Sequence, residues 1–236
     1  KIIDVGAFSD SSIEYISIPS NVEIIKQYAF YDCSKLQKVD IPIDSKIHTI
    51  GKCAFTYSAI NTILIPPHIT CINAHAFKYC NNLHHIEIPN NSELQVIGKF
   101  SFCESSIECI SIPPSVTKIE KCAFYSCQNL NVVDIPCNSK LQSIGSCAFY
   151  ETSIEYIYIP PCLTTINDHA FLYCKNLKKV EIPENSDLQI IEHLAFSKQR
   201  CVVRGEAPSR RFISNKELVS STMAILTLKL CSIAYF

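Results

Sequence analysis

The sequence predicts a repeat solenoid: a right-handed coil with a parallel β-sheet on one side and short turns or helical turns on the opposite side. Three observations carry this. A phenylalanine recurs at Phe8, Phe30, Phe55, Phe77, Phe102, Phe124, Phe149, Phe171 and Phe196, with gaps that alternate 22 and 25 residues and no unit missing. A proline closes each intervening apolar run, at Pro19, Pro42, Pro66, Pro89, Pro113, Pro136, Pro160 and Pro183. The residues before it alternate apolar and variable, the period-two signature of a strand with one buried face. A fixed period of this length marks a supersecondary unit that buries its apolar face only by stacking on its neighbours.

Each unit opens on a segment such as Ile50-Gly51-Lys52-Cys53-Ala54-Phe55 or Ile119-Glu120-Lys121-Cys122-Ala123-Phe124. The isoleucine and the Ala-Phe pair face inward, and the residues between them turn. Nine of the twelve phenylalanines form this spine. The alanine is small where the backbone of the next coil passes close by.

The strand follows, over 13–18, 36–41, 60–65, 83–88, 107–112, 130–135, 154–159 and 177–182. Proline lacks the N–H needed to continue a ladder, so every strand stops at the same length. The chain then turns, through Asp44-Ser45, Asn91-Ser92, Asn138-Ser139 and Asn185-Ser186 in the long units, whose side chains can bond the local backbone. A second apolar pair, such as Val22 and Ile25 or Leu94 and Ile97, brings it back inward. Long units carry one extra residue before the strand and two more after the proline.

Composition agrees. Hydrophobic residues make up 47% of the chain and charged residues 18%, enough for a folded core and too little charge for disorder. A net charge of -1 gives no basis for a nucleic-acid or anionic-membrane partner. Lys1 falls inside a unit already under way, so the chain is expected to continue upstream.

Fourteen cysteines resemble a disulfide framework until they are placed on the repeat. Cys33, Cys80, Cys127 and Cys174 recur every second coil, which puts them roughly 10 Å apart at the ~4.8 Å strand spacing. A disulfide needs Cα atoms within about 7 Å, so these read as small buried hydrophobes. Cys122 and Cys147 hold the same position on consecutive coils, where a disulfide is geometrically possible.

The pattern Ala-Phe-x-x-Cys-x-x-Leu-x-x-Ile-x-Ile-Pro, with Ile-Gly or its equivalent before the next Ala-Phe, resembles the BspA-like leucine-rich repeat family over residues 1–197. Proline stands where the general leucine-rich pattern has an asparagine or cysteine after the strand. The resemblance implies a leucine-rich-repeat-like solenoid and a surface protein that adheres to cells, matrix or other proteins, at the cell surface or secreted. A cytoplasmic location is the other reading.

Residues 198–236 form a separate, non-repeat tail. Its basic first part is followed by an apolar stretch over 218–236 interrupted by Lys229. Nineteen residues could just span a bilayer. A cap over the last coil, a membrane segment and a disordered tail all stay open, and a membrane is a partner only if this tail anchors.

No catalytic constellation emerges, and neither a cofactor nor a metal site is expected. His75 and His169 share a ladder position four coils apart, roughly 19 Å, too far to hold one ion. His85, Glu87 and Cys109 on adjacent strands are the one conceivable metal set, weighed against an ordinary solvated sheet surface. The candidate site is instead the outward sheet face. Two residues per strand project there: Tyr15 and Ser17, Lys38 and Asp40, Thr62 and Leu64, His85 and Glu87, Cys109 and Ser111, Val132 and Asp134, Tyr156 and Tyr158, Lys179 and Glu181. Eight strands give a strip roughly 35 to 40 Å long, enough for about 800 Å² of contact with a partner. Paired Tyr156 and Tyr158 are its natural anchors.

The expected function is non-enzymatic binding of a protein or glycan. The alternative is a structural spacer or an intracellular scaffold with no dedicated ligand site. The recurrence of Ser17/Ser111, Asp40/Asp134 and Glu87/Glu181 leans toward that alternative.

Overall fold

The computed structural model describes residues 1–196 and the strand Val202–Arg204. Among the described residues every regular element is a β-strand, all pairing is parallel, and no helix occurs. The helical-turn option is therefore not taken. Strand pairing also continues past residue 197: Val202–Arg204 pairs in register with Lys179–Glu181. The rest of the tail, including 218–236, lies outside the described residues.

Where the sequence predicts a single sheet face, the coils carry two strand-bearing walls, the first of them divided into three sheets. The first comprises three-residue strands, from Tyr15–Ser17 to Lys179–Glu181, about half as long as the apolar runs predicted. The second is a nine-stranded sheet of two-residue strands running unbroken from Ile2–Ile3 to Ile190–Ile191. It occupies the point where the chain was expected merely to turn back inward. Its inward residue is an isoleucine in every coil, from Ile3 to Ile191. All but Ile3, at the open end, are buried.

The phenylalanine turns form a third wall with a ladder of its own. In the first eight coils the residues two before and two after the phenylalanine have left-handed backbone, as with Phe100 and Glu104 around Phe102, and in the ninth so does Leu194, two before Phe196. Among the described residues sixteen of these are not glycine, and Gly6 is the only glycine among them. Left-handed backbone is uncommon outside glycine and disfavoured by Cβ sterics. It is held here because it turns every second N–H toward the next coil. Phe100, Phe102 and Glu104 donate to the carbonyls of Lys121, Ala123 and Tyr125. The intervening Ser101 and Cys103 donate three residues back within their own coil.

The rings stack inside this wall with centroids 5.0 to 5.4 Å apart and interplanar angles of 1 to 8° through all nine phenylalanines. Phe30 through Phe171 are wholly buried. Gly51, Gly98 and Gly145 have a separate cause. A Cβ on Gly98 would sit 2.4 Å from the Ile72 carbonyl oxygen, and one on Gly51 or Gly145 would sit 2.5 Å from the backbone of the preceding coil.

Cys33, Cys80, Cys127 and Cys174 are buried free thiols, as their spacing requires. Each donates to the carbonyl of the phenylalanine one coil back, at 2.9 to 3.0 Å. Ser11, Ser58, Ser105 and Thr152 take the same place in the alternate coils, with hydroxyls 3.2 to 3.5 Å from those thiols. Burial pushes the Cys80 and Cys127 thiols up to about 12, so they stay protonated and inert. The buried serines after the prolines act as expected. Ser45, Ser92, Ser139 and Ser186 each accept the N–H two residues on at 3.2 to 3.3 Å.

Candidate functional site

The three-residue strands position the candidate site by burying their middle residue. Val39, Ile63, Ile86, Ile110, Val133, Ile157 and Val180 are buried, while Ile16 at the open end is half-buried. With period-two geometry the flanking residues must point outward. All sixteen candidates are exposed or half-buried: Tyr15, Ser17, Lys38, Thr62, His85, Glu87, Ser111, Val132, Asp134 and Tyr156 are exposed, and Asp40, Leu64, Cys109, Tyr158, Lys179 and Glu181 are half-buried.

The strip is not uniform. Pairing is complete over three residues from each short unit to the long unit after it, as in Tyr15–Ser17 on Lys38–Asp40 and Thr62–Leu64 on His85–Glu87. After the first three long units it loosens, whereas after the fourth Lys179–Glu181 pairs fully with Val202–Arg204. Lys38–Asp40 meets Thr62–Leu64 only through Lys38 and Thr62. No strand pairing joins His85–Glu87 to Cys109–Ser111, or Val132–Asp134 to Tyr156–Tyr158.

Two places on the face carry organised side chains. At one end Tyr15 donates its hydroxyl to Asp40 at 2.8 Å, and Lys38 pairs with the same carboxylate at 3.0 Å while lying over the Tyr15 ring. The Tyr15 hydrogen bond, with that of Lys38, holds the Asp40 carboxyl below its ordinary value. The constellation recurs 141 residues later, where Tyr156 donates to Glu181 at 3.3 Å and Lys179 pairs with Glu181 beneath the Tyr156 ring. Burial and the Glu181 charge raise the Tyr156 phenol. Tyr15 thus heads a matching cluster that reading one double unit back from Tyr156 does not find, because it lies three double units away.

The loosened junction after Lys38–Asp40 opens a hollow of ≈ 510 Å³. Its rim takes seven of the sixteen candidates, Ser17, Lys38, Asp40, Thr62, Leu64, His85 and Glu87, over a floor that includes Val39, Ile41 and Ile63. Tyr15, Cys109, Ser111, Val132, Asp134, Tyr156, Tyr158, Lys179 and Glu181 lie on the same face outside it.

The remaining sequence candidates separate differently. Cys122 and Cys147 stand as neighbours on adjacent coils, and both are free thiols. Burial, then the neighbouring Cys147, pushes Cys122 up to about 11. His85, Glu87 and Cys109 do not converge to ligand distance. Among the described residues the one group of three that does is Asp168, His169 and His193, all ligand atoms lying within 4.8 Å of one another. Its sequence signal was available: His169 and His193 are 24 residues apart, one long unit less a position.

The turn wall also carries an aromatic surface that sheet-face reasoning missed. Tyr57 stacks on Tyr79 at 4.6 Å and Tyr125 on Tyr150 at 4.7 Å, with Lys78 over the Tyr79 ring.

The model of the BspA type Leucine rich repeat region matches in six copies, over residues 1–131 and 95–210. Among solved structures, a leucine-rich repeat protein from Bacteroides ovatus is 21% identical with a TM-score of 0.57, covering 86% of this chain and 66% of that one. The leucine-rich repeat protein of T. pallidum is 20% identical with a TM-score of 0.52, covering 90% of this chain and 83% of that one. The pneumococcal vaccine antigen PcpA is 15% identical with a TM-score of 0.43, covering 88% of this chain and 80% of that one. No curated protein matches the chain. With matched repeats over most of its length and the same fold in two of these structures, the chain belongs to the BspA-type leucine-rich repeat family.

Proposed function

We propose that the protein is a non-enzymatic binding module that docks a protein or glycan on its three-residue-strand face, in a surface-exposed, adhesive setting. One observation carries the reading: the hollow between the Lys38 and Thr62 strands, rimmed by seven outward side chains on coils locked from behind by two other hydrogen-bonded walls. A surface held this way binds without ordering loops first. The Tyr15 and Tyr156 clusters frame the strip with aromatic area already fixed by Asp40 and Glu181. The surface setting rests on family membership. A spacer without a ligand is the competing reading, favoured by the paired Ser111 and Asp134, which repeat Ser17 and Asp40 and are hydrogen-bonded to each other at 2.9 Å.

The test is binding of the whole chain to a glycan array and to immobilised extracellular-matrix proteins, against a variant carrying Thr62→Lys and His85→Glu. Binding by the native chain that falls at least tenfold, about 1.4 kcal/mol, in the variant supports the reading. Equal binding by both, or none by either, overturns it in favour of the spacer.

A further inference from the structure

We propose that Asp168, His169 and His193 form a binding site for a divalent transition metal of the zinc class, on the turn wall of the last two coils and independent of the sheet face. Asp168 and His169 lie just before the Phe171 turn, and His193 lies at the matching place before Phe196. The His169 N–H donates to the His193 carbonyl at 3.3 Å, so the two coils are joined at the site itself. The His169 Nδ1 is 2.7 Å from Asp168 Oδ2, and the His193 Nδ1 is 4.0 Å from Asp168 Oδ1. The imidazoles meet edge to face at 80°, with centroids 6.2 Å apart.

Metal bonds of about 2.0 to 2.1 Å at tetrahedral or octahedral angles put neighbouring ligand atoms roughly 2.9 to 3.4 Å apart. With each residue offering one atom, the three ligand atoms lie within 4.8 Å of one another, and the side chains are half exposed, free to close the difference by small rotations. A second observation points the same way. Asp168 Oδ1 is buried yet accepts no hydrogen bond, a costly state for a carboxylate oxygen. The main chain is fixed at this point, where the Asp168 N–H donates to Glu192 Oε2 of the next coil at 2.9 Å.

The repeat supplies an internal control. Four coils earlier the equivalent segment reads Asn73-Ala74-His75-Ala76-Phe77, followed by Lys99 where the later copy has His193. There His75 stacks on Phe100 at 5.0 Å, and burial with Lys78 and Lys52 lowers its basicity. Two of the three donors are thus peculiar to the later copy. Two imidazoles and one carboxylate suit zinc, nickel, cobalt or copper, whereas calcium and magnesium take oxygen ligands. Three protein donors leave at least one coordination position to water.

The test is calorimetric titration of the full chain, thiols kept reduced, with zinc chloride, together with the absorption spectrum of the cobalt form. One zinc per chain and a cobalt spectrum without a thiolate charge-transfer band are expected. His169→Asn, which tolerates the left-handed backbone, and His193→Gln at an exposed position should each weaken binding by about tenfold or more. His75→Asn and Cys147→Ser should leave it unchanged. Absence of a stoichiometric site, full binding in both histidine variants, or a thiolate band overturns the assignment. Circular dichroism of the metal-free variants separates lost ligands from lost fold.

Discussion

The wall of two-residue strands and the wall of three-residue strands are made by the same coils, yet the first runs unbroken through nine strands and the second divides into groups of four, two and three. The difference follows the unit lengths. In the first wall each coil contributes an isoleucine at a constant five residues before its phenylalanine, so register is never challenged. In the second, alternate units carry an extra residue before the strand, and the loosened junctions all follow a long unit. Constancy in length builds the wall that holds the molecule together. Alternation opens the wall that can present a surface.

The comparison breaks most readily at the spine. Phe102→Ala, in the middle of the stack and wholly buried, should destabilise the protein by about 3 to 5 kcal/mol in urea unfolding. A loss below about 1 kcal/mol would mean the turn wall is not what holds the coils. Next in size is alkaline pH. Unfolded thiols ionise near 9.0, whereas burial pushes Cys80 and Cys127 to about 12. Above pH 9 the unfolded chain therefore holds fewer protons than the folded one, and stability falls as pH rises toward 12. At pH 10.5 the loss should be about 2 kcal/mol per thiol, read from denaturation midpoints at pH 8 and 10.5. Cys80→Ser with Cys127→Ser should flatten that slope. Smallest is Tyr15→Phe on the open wall, which removes only a surface hydrogen bond to Asp40 and should shift stability by no more than about 0.5 kcal/mol. A larger shift would make the Tyr15 cluster part of the scaffold rather than of the presented surface.

Much of the fold was legible because a repeat reports which residues are equivalent. The buried spine, the stop at each proline, the unpaired fate of Cys33 and its mates, and the outward direction of all sixteen face residues follow from period and alternation alone. The second sheet did not, because two residues per coil are too short a run to show alternation. The left-handed turns did not either. Tyr28, Cys53, Phe100 and Leu194 all occupy a position where local preference favours glycine. Only the inter-coil ladder, a tertiary interaction, makes that backbone worthwhile.

The candidate site divides along the same line. The sequence by itself determined the coil, its core and which side chains face outward, since periodicity is a property of order along the chain. The tertiary structure alone decided where pairing loosens into a hollow, that Tyr15 and Tyr156 each meet a lysine and an acid, and that Asp168, His169 and His193 converge. Those depend on how far one coil is offset from the next, a distance set by backbone geometry at each turn and not by residue spacing.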